Sequence, residues 1–205
     1  MKPSQPALSD EALQNFLAKE LKIKPQKSHE LSPILQTVYN HVSNLHKYLC
    51  YWMEVCDKGT SICQTIQAMK IEECCGDPPQ CLQPIVEKLL HCKNSLNNIV
   101  IDVGVLNDKL KILALLPKES QDQDINIIWS SEETSKTVNE IFLALEKEYE
   151  LKHTVVENIA RSQDTALTEV YASSWEFNVY FHPSSTFPLF ESVGLPKLMN
   201  KKYKV

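Results

Sequence analysis

The stretch Glu148–Trp175, EYELKHTVVENIARSQDTALTEVYASSW, decides how this chain turns on itself. Leu151, Val155 and Ile159 are spaced by four and share one helical face. Gln163 and Asp164 interrupt that pattern. Asp164 is of the type that caps a helix N-terminus, and Leu167, Val170, Tyr171 and Trp175 follow at spacings of three and four. The stretch therefore reads as the end of one helix, a tight corner, and a short helix folding back. Its aromatics bury much area for few residues. The simplest role is a corner that closes the core; the second is a corner that also presents a surface to a partner.

Working upstream, a helix is predicted from Ser131, with Glu132 and Glu133 favourably placed in its first turn. Its core face is read as Val138, Ile141, Phe142, Leu145, Tyr149, Val155, Val156 and Ile159, a less regular seam than those before it. The charged run Lys147, Glu148, Glu150, Lys152 and His153 is read as a solvated face. Downstream, Phe177, Tyr180, Phe181, Phe187 and Phe190 are too many aromatics for a disordered segment. They predict an irregular arm packed on the bundle, kept extended by Pro183 and Pro188.

Two longer helices precede these. The first is predicted over Pro33–Met69, with proline at its first position. Its apolar slots are Leu35, Val38, Val42, Leu45, Leu49, Trp52, Cys56, Gly59, Cys63 and Ile66, alternating three and four without a slip. That is a heptad seam, the pattern of helices wound against one another. Gly59 in a core slot costs about 1 kcal/mol of helix propensity, so a close crossing or a local kink is expected there. The segment EECCGDPPQ, residues 72–80, breaks the helix. A second helix restarts near Cys81 or Pro84, with the seam Leu82, Ile85, Leu89, Cys92, Leu96, Ile99, Val103, Leu106, Leu110 and Leu113. The short connection predicts a helical hairpin. Pro117 ends it, and a polar crossing leads to Ile125, Ile127, Ile128 and Trp129. The third helix is shorter than the hairpin, so part of the hairpin seam is expected to stay uncovered and to call for a partner.

The expected fold class is all-α: a long antiparallel three-helix coiled-coil-like bundle with a short C-terminal fourth helix and an irregular aromatic arm. Residues 1–31 are expected to be a flexible segment with a short amphipathic helix at about 10–23, residues 32–195 the helical bundle domain, and residues 196–205 a loose basic tail. The amphipathic stripe Leu13, Phe16, Leu17 and Leu21 either packs on the body or docks in a partner's groove.

Composition narrows function. Four glycines leave no room for a glycine-rich phosphate loop, and a net charge of −5 disfavours a general nucleic-acid binder. No apolar run approaches a membrane span. Seven cysteines in a chain without a secretory signal are expected to be thiols. Cys56, Cys63 and Cys92 sit in apolar slots, where a thiol behaves as a small hydrophobe. Cys63, Cys74, Cys75 and Cys81 do not match paired-cysteine zinc spacing. With no nucleophile elbow, HExxH or dinucleotide fingerprint, the chain reads as a non-enzyme, with no catalytic, cofactor-binding or metal site.

The run Leu151-Lys152-His153-Thr154-Val155, then Ala160, Asp164, Leu167-Thr168, Tyr171, Ser173 and Trp175, resembles the C-terminal signature of the cyclin-dependent kinase 2-interacting protein family. Tyr180, Leu189, Glu191-Ser192 and Gly194 resemble its tail, and Trp129 fits its layout. The resemblance is specific over about a third of the chain; before Trp129 only the helical layout matches. It implies a non-catalytic adaptor or scaffold subunit of a nuclear AAA+ ATPase complex, linked to ribosome large-subunit maturation and to DNA replication and checkpoint control. The implied partners are an AAA+ ATPase of the valosin-containing-protein-like class, a second small helical adaptor forming a heterodimer, and a cyclin-dependent kinase. Neither a membrane nor sequence-specific nucleic acid is implied, and the expected location is nucleus and cytoplasm. The implied family-core or partner-binding residues are Leu151, Thr154, Asp164, Leu167, Tyr171, Trp175, Tyr180, Leu189, Glu191 and Gly194. The competing reading is a structural coiled-coil tether, as in spindle, kinetochore or vesicle-tethering subunits; a metal or redox role for the cysteines is the third.

Overall fold

The computed structural model describes residues 33–71, 80–115 and 130–198. Among them the chain is all-α, with no strand. Helix α1 runs Pro33–Ile71, α2 Gln83–Ala114, α3 Ser131–Asn158, α4 Thr165–Glu176 and α5 Phe187–Ser192. A 3-10 turn, Gln80–Leu82, leads into α2, and another, Pro183–Thr186, leads into α5. The predicted 10–23 helix, the 72–79 breaker with Cys74 and Cys75, the 116–129 crossing with Trp129, and the tail beyond 198 lie outside the described residues.

The ends of the helices follow from local chemistry. Pro33 opens α1 where its missing N–H is no loss. Ser130 caps α3 by accepting from Glu133 N (3.1 Å), while the Glu133 carboxylate accepts from Ser130 N (2.9 Å), so two orphan donors are satisfied reciprocally. Asp164 caps α4, its Oδ1 accepting from Ala166 N (2.9 Å) and Leu167 N (3.4 Å). Gly194, at φ 71°, closes α5: Leu195 N donates to Phe190 O and Gly194 N to Glu191 O, the paired bonds of a Schellman ending.

Packing follows the seams. In α1, Val38, Val42, Leu45, Leu49, Trp52, Cys56, Gly59, Cys63 and Ile66 are all buried; in α2, Leu89, Cys92, Leu96, Ile99, Val103, Leu106 and Leu110 are. Only the end positions Leu35, Ile85 and Leu113 are half-covered. The expected uncovered stretch of hairpin seam is therefore absent among these residues. α1 packs on α2, α2 on α3, and α4 against both α1 and α3. The short fourth helix does part of the covering that length alone denied to α3.

Five expectations are corrected. The seam of α3 is regular after all: Thr134, Val138, Ile141, Leu145, Glu148, Lys152, Val155 and Ile159 are buried at alternating spacings of four and three. Glu148 and Lys152 are 0% exposed, so they are core slots and not a solvated face. The arm is not extended, because Pro183 and Pro188 each sit in the first turn of a helical segment, where a fixed φ favours helix. Ordered packing also runs past residue 195: Leu198 is buried, and Pro196 O accepts from His46 Nε2 (2.8 Å). Finally, α4 buries Thr168, Ala172 and Trp175, whereas Leu167 and Val170 face outward.

Candidate docking surface at the helical corner

The corner is held from three directions. At its tip, Lys70 near the end of α1 donates from Nζ to Ser162 O, and Ser162 Oγ donates to Asp164 O. At the far end of α4, the Trp175 indole enters the groove of α1. Its Nε1 donates to Cys56 O (3.1 Å), and its six-membered ring occupies the place a side chain at Gly59 would need. Glycine in that slot is thus required by the close approach of an aromatic ring, and the propensity cost is offset by the burial it permits.

Beneath Trp175 lies the buried pair. Lys152 Nζ donates to Glu148 Oε1 (2.8 Å) and to Trp175 O (3.0 Å), and lies 5.6 Å from the Trp175 ring centroid. Glu148 Oε2 accepts from the backbone N–H of Tyr180 (2.7 Å) and Phe181 (3.3 Å). Two buried charges are tolerable only when paired and hydrogen-bonded. Here the carboxylate takes up two amides of the arm that follows α4, and the ammonium takes up a carbonyl of its last turn. One i,i+4 pair on α3 thereby fixes where α4 stops and where the arm begins. The arm then runs along α1: Phe181 meets Trp52 edge-on, and Phe190 meets His46 edge-on at 4.8 Å.

The outward face of α4 differs in character. Ala166, Glu169, Val170, Ser173 and Ser174 of α4, with Phe177 and Val179 beyond it, line a groove of about 520 Å³. It is a shallow depression open to solvent. Leu167, Val170, Phe177, Val179 and Tyr180 are each 41–56% exposed, a concentration of large apolar side chains in fourteen residues. Its lining mixes small side chains, Ala166, Ser173 and Ser174, with the larger Val170, Phe177 and Val179. Glu169 is the one charged residue among those that line it. Residues 162–196 hold Asp164, Glu169, Glu176 and Glu191 and no lysine or arginine.

The ten residues singled out by resemblance divide between the two faces. Trp175 and Leu189 are fully buried, Leu151 and Tyr171 are half-buried, and Asp164 and Gly194 shape helix ends. Leu167, Tyr180, Thr154 and Glu191 are exposed, Thr154 donating to Glu150 O. The residues that do most to build the corner, Glu148, Lys152 and Gly59, are outside that set. For Glu148 and Lys152 the available signal was the three–four alternation of α3 continuing straight through them.

Cys56 and Cys63 sit in an unreactive setting. Burial pushes the Cys56 and Cys63 thiols up to about 12, against a smaller opposing pull from the Lys152 ammonium. A thiol so disposed is neither a nucleophile nor a ready ligand. Among the described residues no three His, Cys, Asp or Glu side chains are grouped to hold a metal ion, and no helix is long and apolar enough to cross a membrane.

Neither a protein-family model nor a curated protein matches the chain.

Proposed function

We propose that this chain is a non-catalytic adaptor, a member of the cyclin-dependent kinase 2-interacting protein family that serves in a nuclear AAA+ ATPase complex. The observation that carries an adaptor role is the exposed apolar groove on α4, set on a corner whose inner face is fixed by a buried ion pair. A surface that must be recognised benefits from a rigid support. In this reading the ATPase, of the valosin-containing-protein-like class, supplies nucleotide hydrolysis. The chain pairs with a second small helical adaptor to position the assembly on its substrate, in ribosome large-subunit maturation and in replication control with a cyclin-dependent kinase. It works in the nucleus and cytoplasm.

The same proposal treats α1, α2 and α3 as an antiparallel, coiled-coil-like bundle. In support, Asn107 of α2 donates to Asn139 of α3 (3.2 Å) and Gly104 faces Phe142, so residue numbers rise on one helix as they fall on the other. Heptad-spaced burial on all three helices fits that geometry.

The test is affinity purification of the full chain from nuclear extract, with mass spectrometry of what co-elutes. An AAA+ ATPase and a small helical protein in matching amounts are expected. Long coiled-coil subunits without an ATPase would instead assign the chain to a structural tether.

A further inference from the structure

We infer that the contact of Asn107 with Asn139, together with the fit of Phe142 over Gly104, is a register lock that holds α2 in a single alignment on α3, an inference that rests on the antiparallel bundle reading. Asn107 is 1% exposed, more deeply buried than Leu106 beside it. Its Nδ2 donates to Asn139 Oδ1 (3.2 Å), while its own Oδ1 has no partner among the described residues. A buried amide oxygen left unpaired costs stability, and an apolar side chain of similar size in the same place would not. Polar residues kept in heptad seams in spite of that cost fix which alignment two helices adopt.

The other buried slots of α2, from Leu89 to Leu110, are all apolar. Sliding α2 by one heptad replaces one such residue by another, so these slots choose no alignment. The Glu148–Lys152 pair ties α3 to α4 and the arm, and leaves the alignment of α2 open. The asparagines and the ring remove this freedom. Gly104 lies three residues before Asn107, and Phe142 three residues after Asn139. A methyl group at position 104 would come within 3.1 Å of the Phe142 ring, so the largest side chain of this face sits where its neighbour has none. Both pairs therefore obey one and the same antiparallel alignment.

A slip of one heptad in either direction breaks both matches. Asn107 would then face Glu132 or Glu146, Asn139 would face Val100 or Ala114, and Phe142 would face Asn97 or Lys111. Each alternative draws a carboxylate toward a buried slot, sets the Asn139 amide on an apolar neighbour and takes the ring off its notch. The seam is specified against its own near-repeats.

The test uses nuclear magnetic resonance and urea unfolding of the full chain. In the parent, one set of signals is expected, with contacts from the Phe142 ring to Gly104 and from the Asn107 side-chain amide to Asn139. If the parent lacks these contacts, the antiparallel reading itself falls and the lock with it. Asn139→Leu strands the Asn107 amide and should lower the urea midpoint. Asn107→Leu combined with Asn139→Leu should bring the midpoint back to the parental value or above it. Adding Phe142→Leu to that pair makes the face uniformly apolar. Helical content by circular dichroism should then be kept, while the amides of α2 and α3 give two or more sets of signals. Phe142→Leu alone, which retains both asparagines, should keep one set.

An Asn139→Leu chain as stable as the parent overturns the proposal. So does a single set of signals in the triple variant with residue 142 still beside Gly104; the antiparallel reading then stands and the lock does not. Should the triple variant be unfolded, the double variant decides: a midpoint above that of Asn139→Leu supports the lock, and one at or below it overturns it.

Discussion

The Trp175 ring lies directly over Gly59, with the indole Nε1 bonded to Cys56 O one turn earlier on the same helix. A methyl group at 59 would overlap the six-membered ring. Alanine would gain about 1 kcal/mol of helix propensity, but displacing a fully buried indole costs about 1–3 kcal/mol or more. The second effect wins, so Gly59→Ala should lower stability in urea unfolding. A variant as stable as the parent would mean that the ring does not occupy this place.

Glu148 and Lys152 should behave as a coupled pair. Removing one partner from a buried ion pair costs about 3–5 kcal/mol because the other charge is stranded. Lys152→Met and Glu148→Gln are both expected to destabilise, and the double variant by less than their sum. It should not return to parental stability, since the Tyr180 and Phe181 amides and the Trp175 carbonyl would lose strong partners. Additive losses in a double-mutant cycle would contradict the pairing.

Asp164 caps α4 through one exposed carboxylate, a more modest interaction. Asp164→Ala should cost about 1 kcal/mol, whereas Asp164→Asn, which keeps an accepting oxygen, should cost a few tenths. Chemical denaturation distinguishes them; equal losses for the two would remove the cap from the account.

Cys56 and Cys63 link stability to alkaline pH. Both thiols are raised in the folded chain from 9.0 to about 12. Below pH 9 both states hold the proton and the stabilising contribution is whole. Between pH 9 and about 12 the unfolded chain releases protons that the folded chain retains, so stability falls as pH rises. The denaturation midpoint should decline over that window, and less steeply in a Cys56→Ala, Cys63→Ala variant. In the native protein, iodoacetamide should modify the exposed Cys50 and Cys81 before either buried thiol; rapid labelling of Cys56 would show the corner to be open.

The regular seams of α1 and α2 were legible because each apolar slot holds an apolar residue and the alternation never slips. The seam of α3 was obscured by chemistry, not by spacing. Glu148 and Lys152 occupy core slots, and charged residues enter a core only when paired; beyond each other, their partners are backbone groups of Trp175, Tyr180 and Phe181, distant in the chain. Gly59 announced a close approach, but nothing local could name Trp175 as the group approaching it. On α4 the larger apolar residues suggested the inner face, yet helices that pack closely favour small ones, so Thr168 and Ala172 went inward and Leu167 and Val170 outward. The groove was hidden by the same inversion.

The bond from Trp175 to Cys56 spans 119 residues, and that from His46 to Pro196 spans 150. Each joins a face of α1 to chain made much later. During synthesis at about 5–20 residues per second, that face waits on the order of ten seconds for the residues that cover it. Gly59 and the Cys56 carbonyl lack their Trp175 cover throughout that interval. The final fold is well closed, but its closing strokes come last, so a chain interrupted before Trp175 has finished its longest helix and lacks the groups that cover one face of it.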